Sequence, residues 1–220
     1  MNWFQTKSAK SLILQEKKII NKFIEDKFGY HALQLGSPFT NFLENSRISN
    51  HIFNQGPLKN ISFNNFSFPL ADDSIDLVIC SHYIEQGYNS IFLEELYRII
   101  IPGGHLVLIS FNPFSFAGIR NIFGFSMDFP WNSNFVSIST IQNNLNETGF
   151  SIEQAEILNY QFLFSDENFN FNKNIEKIGN RWLPLFGNVY FIVVQKKVIG
   201  LTPIKPKWRN PKKSTVLKEE

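Results

Sequence analysis

The chain has 220 residues, of which 43% are hydrophobic and 15% aromatic, and its net charge is +2 at neutral pH. This length and composition allow a folded domain with a sizeable core and exclude a chain that is disordered throughout. The net charge is too small to indicate nucleic acid binding on its own, and no apolar run reaches the roughly 18 residues of a membrane-spanning helix.

The first predicted element is an amphipathic helix over about residues 6–27. One stripe of the helix is apolar and lysines occupy the opposite face; the stripe consists of Leu12, Ile13, Ile19, Ile20, Phe23 and Ile24. Gly29 follows as the predicted helix end. Either the helix packs on the core or covers the site, or its basic face lies on a membrane surface. We assign residues 1–29 to an N-terminal helix packed on the core.

Residues 30–198 are predicted to form one α/β domain. Short apolar runs predict strands at 32–35, 47–53, 61–63, 75–80, 106–109, 152–158 and 189–195. Helical patterns cover 91–100, 115–123, 139–148 and 175–182. The alternation of strands and helices, followed by a final pair of strands, predicts a doubly wound sheet. Ligands in such sheets bind beyond the carboxyl ends of the strands, which here means Ser81, His82 and Asn112.

The helix between the fourth and fifth predicted strands is amphipathic. Its apolar side is predicted to contain Ile91, Leu93, Leu96, Tyr97 and Ile100, whereas Glu94, Glu95 and Arg98 face water.

The segment 68–113 carries a family resemblance. It contains FPLADDSIDLVICSH and then LEELYRIIIPGGHLVLISFNP. This resembles class I S-adenosylmethionine-dependent methyltransferases of the methyltransferase type 11 group, which show an "lPf-d-sfD-vv" strand followed by an "l-E--RvLkPGG-l-is" helix and turn. The matching residues are Phe68-Pro69-Leu70, Ser74 to Val78, Glu95, Arg98, Pro102-Gly103-Gly104 and Asn112-Pro113. The resemblance implies a Rossmann-like sheet, mostly parallel with an antiparallel last strand, and S-adenosylmethionine as cofactor.

The resemblance also locates a cofactor site, with a degenerate glycine loop. Where the family has a G-x-G-x-G loop, this chain reads LGSPFT and keeps only Gly36, while Ser37 is predicted to cap a helix that starts at Pro38. Residues 45–71 contain no Asp or Glu for the cofactor ribose, so Asn54 or Gln55 would offer an amide oxygen. Each lost charged contact weakens binding by about 1–2 kcal/mol. The predicted cofactor-binding residues are Gly36, Ser37, Asn54, Asn64, Asn65, Ser81 and His82.

His82 and Asn112 are the predicted catalytic residues. His82 is a candidate base or orienting residue, with Tyr83 and Glu85 as further candidates, and the alternative is a histidine hydrogen-bonded at a strand end. Asn112 either orients the substrate or shapes the turn before Pro113. Several aromatic residues are predicted either to line an apolar acceptor pocket or to belong to the core, namely Phe111, Phe114, Phe116, Phe125, Phe129 and Trp131.

We therefore predict a cytoplasmic S-adenosylmethionine-dependent methyltransferase acting on a small, apolar or aromatic acceptor. The alternative is an inactive methyltransferase-fold protein that serves as a binding or scaffold module. The four histidines lack the spacing of a zinc site, and Cys80 is predicted to be a buried hydrophobe. Residues 199–220 are predicted to be a basic mobile tail, either solvated or in contact with RNA or an anionic surface.

Overall fold

The computed structural model describes residues 6–62, 67–115, 118–119, 133–159 and 186–197. These ranges contain helices α1 (Lys7–Ile24), α2 (Ser90–Ile99) and α3 (Ile138–Thr148). They also contain strands β1 (His31–Gly36), β2 (Asn50–Phe53), β3 (Ile75–Ser81), β4 (Ile100–Phe111), β5 (Phe150–Leu158) and β6 (Val189–Lys196). A 3₁₀ turn over Ile84–Gln86 follows β3.

The six strands form one sheet in the order β2-β1-β3-β4-β6-β5. The first four strands of this order are parallel to one another, and β6 runs antiparallel to both β4 and β5. The predicted sheet, mostly parallel with an antiparallel last strand, is confirmed. The carboxyl ends of β1, β3 and β4 consequently meet at the same edge of the sheet, which is called the carboxyl edge below.

Helices cover both faces of the sheet. Leu77 and Ile79 of β3 belong to the core under α1, whereas Val78 and Cys80 belong to the core under α2 and α3. Successive residues of a strand point to opposite faces, so a strand buried on both faces needs a continuous apolar run. This is why the runs in β3, β4 and β6 are almost uninterrupted.

Helix α1 runs in the opposite direction to the parallel strands. Glu16 contacts His82 beyond the end of β3, while Lys27, just past α1, contacts His105 nearer to the start of β4. The buried residues Leu12, Ile13, Ile20 and Ile24 confirm the predicted apolar stripe. The helix is therefore packed on the core, as predicted, and its first half lies next to the carboxyl edge.

Three polar side chains fix where the helices begin. Thr6, Asn89 and Ser137 each accept a hydrogen bond from a backbone N–H in the first turn of α1, α2 and α3. Gly149 ends α3 with a φ of 107°, as predicted from its position after the helix. Gly29 does not end α1, because the helix already stops at Ile24.

The connection from β1 to β2 differs from the prediction. Residues 37–49 contain turns and no helix, so the helix expected to start after Ser37 is wrong. Phe42, Leu43 and Ile48 are nevertheless buried in the core under α1. Irregular chain thus fills the layer that a crossover helix would occupy. The strand predicted at 61–63 is also wrong at Ile61 and Ser62, while Phe63 lies outside the described residues.

Two details around α2 also differ. Ile91 is 57% exposed, and the buried side of α2 consists of Phe92, Leu93, Leu96 and Ile99. Pro102-Gly103-Gly104 lies inside β4 as an irregularity opposite β3, instead of forming a turn before the strand. Gly103 has a φ of 83°, which a residue with a side chain rarely adopts.

Several predictions fall outside the described residues. These are the helix at 175–182, nearly all of the helix at 115–123, the aromatic loop around Trp131 and the tail at 199–220. Among the helices that the structure describes, none is long and apolar enough to cross a membrane.

Candidate functional site

Three of the predicted cofactor-binding residues meet at the carboxyl edge. Gly36 ends β1 directly opposite Ser81, which ends β3, and the Ser37 and Ser81 hydroxyl oxygens are 2.8 Å apart. A Cβ on Gly36 would lie 2.0 Å from the Ser81 carbonyl oxygen, and the φ of Gly36 is 78°. Only glycine fits here. The space beside Gly36 is thus used for close contact between the two strand ends.

Asn54 and Gln55 follow β2 and have different environments. The Asn54 side-chain oxygen accepts the Gly36 N–H at 3.3 Å and is buried. Gln55 is partly exposed and lines a cavity of about 220 Å³ together with Ser37, Phe39 and Leu58. Of the two amides, Gln55 is the one that faces open space. Asn64 and Asn65 lie outside the described residues.

His82 lies between two acidic side chains. Its Nε2 is 2.8 Å from Glu16 Oε1 of α1, and its Nδ1 is 3.3 Å from Glu85 Oε1 of the 3₁₀ turn. All three side chains are fully buried. Glu85 Oε1 also accepts the backbone N–H of Phe111 at 2.8 Å, which ties the cluster to the end of β4. We call Glu16, His82 and Glu85 the acidic cluster.

The acidic cluster keeps His82 protonated. Burial lowers the pKa of His82, but the charges and hydrogen bonds of Glu16 and Glu85 outweigh burial and raise it to about 10. An imidazolium donates from both ring nitrogens and has no lone pair to accept a proton. These contacts are those of a histidine hydrogen-bonded at a strand end, the alternative to a catalytic role, and such a histidine orients the two carboxyl groups.

The acidic cluster contains polar atoms without partners. Glu16 Oε2 and Glu85 Oε2 are buried and have no hydrogen-bond partner among the described residues. Ser110 and Tyr190 occupy paired positions of β4 and β6, and Tyr190 belongs to the core under α2 and α3. Burial, with the Glu85 carboxylate adding to it, raises the pKa of the Cys80 thiol and of the Tyr190 hydroxyl. Cys80 and Tyr190 therefore lie near Glu85, on the side of the sheet opposite α1.

The Asn112 side chain is hydrogen-bonded both to its own turn and to the segment before β6. Its side-chain nitrogen donates to the Gly187 carbonyl at 2.9 Å, and its side-chain oxygen accepts the Phe114 N–H at 3.1 Å. The side chain is buried. Of the two predicted roles, shaping the turn after β4 is the one that these contacts favour.

An aromatic stack borders the acidic cluster. The His82 and Phe111 ring centroids are 4.3 Å apart, and Phe111 stacks on Phe135 at 5.1 Å. Phe114 points to solvent, with 63% exposure. The other four aromatic residues predicted for an acceptor pocket lie outside the described residues.

Sequence reasoning missed Glu16, although the sequence carries a signal for it. Glu16 occupies the i+4 position from Leu12 and precedes Ile20 by four residues, so it lies on the apolar stripe of α1. A charged residue on a buried helix face needs a partner. By contrast, the motif residues Glu95 and Arg98 are structural, because Arg98 binds Glu95, Asp72 and the Phe68 and Leu70 carbonyls.

The residues at the carboxyl edge suit one part of S-adenosylmethionine better than another. The two unpartnered carboxyl oxygens suit the positive sulfonium, and Gln55 lines a cavity at the neighbouring strand end. The Gly36 N–H is already used by Asn54, and no carboxylate follows β2. Glu16 and Glu85 would therefore suit the sulfonium of the cofactor, whereas the loop after β1 offers it little. No group of three His, Cys, Asp or Glu that could hold a metal occurs within the described ranges.

Comparisons with known proteins agree with this fold. A family model described as "Methyltransferase domain" matches residues 40–108, which include β2, β3 and α2 as well as His82. An uncharacterised protein of Escherichia coli K12, YafS, is 25% identical over 203 residues, covering 88% of this chain and 80% of YafS. Glu16, Gly36 and Ser37 lie outside the segment that the family model matches.

Two solved structures have the same fold. A SAM-dependent methyltransferase from Archaeoglobus fulgidus has a TM-score of 0.63 at 19% identity, covering 88% of this chain and 97% of its own. An S-adenosylmethionine-dependent methyltransferase from Mesorhizobium loti has a TM-score of 0.56 at 16% identity, covering 81% and 96%. The predicted resemblance to class I methyltransferases of the type 11 group is confirmed.

Proposed function

We propose that this chain is an S-adenosylmethionine-dependent methyltransferase whose acceptor is a small, apolar or aromatic molecule. The observation that carries the proposal is the carboxyl edge, where three parallel strands end in Gly36, Ser81 and Phe111 around a buried polar cluster. Ligands of open α/β sheets bind at this edge. The match to the methyltransferase family and the methyltransferase fold support the same reaction class.

The cofactor supplies the chemistry of the reaction. When bound, S-adenosylmethionine provides a methyl group whose transfer breaks the carbon–sulfur bond, leaves the electron pair on sulfur and forms a bond to the acceptor. The chain would hold its sulfonium near Glu16 and Glu85, and its ribose near Gln55. Burial of the two glutamates excludes water, which strengthens their electrostatic effect on a bound ligand.

His82 keeps the two carboxyl groups in place. Because His82 donates from both nitrogens, it cannot take a proton from the acceptor in this state. If the accepting atom carries a proton, Glu16 Oε2 and Glu85 Oε2 are the atoms of the acidic cluster that can receive it. His82 is accordingly a positioning residue in this proposal.

The aromatic stack supports an apolar or aromatic acceptor. Phe135 is partly buried and stacks on Phe111 with an interplanar angle of 18°, so its outer part extends the apolar surface beside His82. A flat apolar surface favours acceptors that can stack or make van der Waals contact. The inactive scaffold interpretation is not favoured, and the cytoplasmic location stays a prediction.

Transfer of a labelled methyl group tests this function. The full chain is incubated with methyl-labelled S-adenosylmethionine and fractions of a cell extract, and we expect label in small molecules that partition into organic solvent. Phe135→Leu should lower the transfer rate several-fold without changing donor affinity. Phe28→Leu, at an exposed phenylalanine before β1, is the matched control and should be neutral. If the chain binds the donor but transfers no label, the proposed enzymatic activity is contradicted and the chain is a donor-binding protein.

A further inference from the structure

The acidic cluster holds two carboxyl groups against one histidine inside the protein. All three side chains are fully buried. In the part of the chain that the structure describes, His82 is the only cation paired with Glu16 or Glu85. An uncompensated buried charge is costly, so such a charge is normally matched by a cation.

The unpartnered oxygens indicate that a positive partner belongs here. Glu16 Oε2 and Glu85 Oε2 are both free of hydrogen bonds within the described ranges. Two unsatisfied carboxyl oxygens in one buried cluster are unusual for a folded protein.

The position of the cluster decides which cation is relevant. His82 directly follows Ser81, whose hydroxyl contacts Ser37 at the end of β1. The cluster is thus at the carboxyl edge, where the proposed function places the donor. The donor carries a positive sulfonium, whereas its demethylated product carries a neutral thioether and is otherwise the same molecule. A fixed negative charge therefore distinguishes the two.

We infer that Glu16, His82 and Glu85 form an anionic subsite that selects the cationic methyl donor over its neutral demethylated product. This inference rests on the proposed function. It assigns to Glu16, a residue of the N-terminal helix, a direct part in ligand discrimination. It also explains why a glutamate occupies this buried position of the helix, since an apolar residue there would stabilise the packing more.

The test compares two dissociation constants in each variant. Isothermal titration at pH 7 measures the binding of S-adenosylmethionine and of S-adenosylhomocysteine to the wild type, E16Q, E85Q and E16Q/E85Q. We expect each single substitution to lower the preference for the donor by about tenfold, equivalent to about 1.4 kcal/mol, with product affinity changed by less than about threefold. In the double variant both carboxylates are absent whatever the protonation of His82, so the preference must fall there.

Matched controls separate charge from other effects. E44Q removes a carboxylate that is 60% exposed and paired with Lys17, and its ligand preference should equal that of the wild type. A donor analogue with a protonated amine in place of the sulfonium should lose affinity in E16Q and E85Q by the same factor as the donor. Circular dichroism and melting curves identify the variants that fold. If only one of E16Q and E85Q folds, that variant alone is enough to test the subsite.

The outcomes distinguish the two proposals. A wild-type protein that binds neither ligand contradicts the proposed function and the subsite with it. A wild type that binds both, together with folded variants whose preference is unchanged, overturns the subsite alone. An equal loss of donor and product affinity in E16Q also overturns it, because that result describes a damaged site without charge selection.

Discussion

At the end of β3 one histidine joins two acidic residues that are 69 positions apart along the chain, Glu16 and Glu85. His82 is also one of four described non-glycine residues with positive φ, at 51°. Such a backbone conformation is uncommon for histidine and persists when the surroundings hold it. Here the two carboxyl contacts and the Phe111 ring hold the side chain in place.

The pKa of His82 predicts how stability depends on pH. Its folded pKa of about 10 exceeds the ordinary value of 6.5, so the stabilisation is fully present below about pH 6.5 and is lost as pH rises to about 10. We expect the melting temperature of the wild type to fall over this range, and that of His82→Gln to fall less. His31→Gln, at an exposed histidine, should follow the wild type. If the melting temperatures of all three proteins change with pH in the same way, the raised pKa of His82 is contradicted.

Removing the histidine should also be costly at neutral pH. His82→Ala leaves two buried carboxyl groups without their shared cation, and breaking a buried ion pair in this way costs about 3–5 kcal/mol. Urea unfolding at pH 7 measures the loss. A loss below about 1 kcal/mol would mean that the carboxyl groups do not depend on His82.

Gln55 offers a gain-of-affinity test for the ribose position. If the donor ribose lies near Gln55, Gln55→Glu should strengthen binding of both donor and product by up to about tenfold, because charged hydrogen bonds are stronger than neutral ones. Gln154→Glu, at an exposed position of β5, adds the same charge elsewhere and should have no effect. Unchanged or weaker binding to Gln55→Glu, measured by titration calorimetry, would remove the ribose from this position.

At the scale of single residues, the sequence located the strand-end groups but missed how they pair. Ser37, Ser81 and His82 were expected at one edge because parallel strands end together. Glu85 was named only as a further candidate, and Glu16 was missed, because the pairing of α1 with β3 depends on tertiary packing. A helical wheel reveals that Glu16 is buried but does not reveal its partner.

Elements were predictable where apolar periodicity is strong. α1, α3, β3 and β6 follow their patterns closely, whereas β4 begins at Ile100, six residues before its predicted start. The segment 37–49 was not predictable, because Phe42 and Leu43 are buried from an irregular chain that has no period. In α2, both Ile91 and Phe92 are apolar, and packing on β3 and β4 selected Phe92, Leu93, Leu96 and Ile99. Two adjacent apolar residues leave the choice of face to tertiary contacts.

The start of α2 provides an element-scale prediction. The Asn89 side-chain oxygen accepts the Phe92 N–H at 2.9 Å, so Asn89→Ala should lower the free energy of unfolding by about 1 kcal/mol. Asn89→Asp keeps the acceptor and should retain the wild-type stability. Urea unfolding measures both variants. Equal destabilisation by Ala and Asp would show that the cap is not the cause.

For the whole molecule, the sheet order and the helix layers bring Gly36, Ser81 and the end of β4 to one edge, with α1 closing it from one face. This arrangement was predictable from the resemblance over 68–113, since strand and helix alternate there without interruption. The segment after β1 keeps one glycine, Gly36, so we expect cofactor binding to depend on contacts outside this segment.

Thermal unfolding with increasing S-adenosylmethionine tests the central claim most directly, namely that the carboxyl edge binds this cofactor. A ligand that binds only the folded protein stabilises it by about 2.7 kcal/mol at a hundred times its dissociation constant. The melting temperature of the full chain should therefore rise steadily with cofactor concentration and stay constant with equal concentrations of ATP. A melting temperature that does not change up to millimolar S-adenosylmethionine would contradict the account.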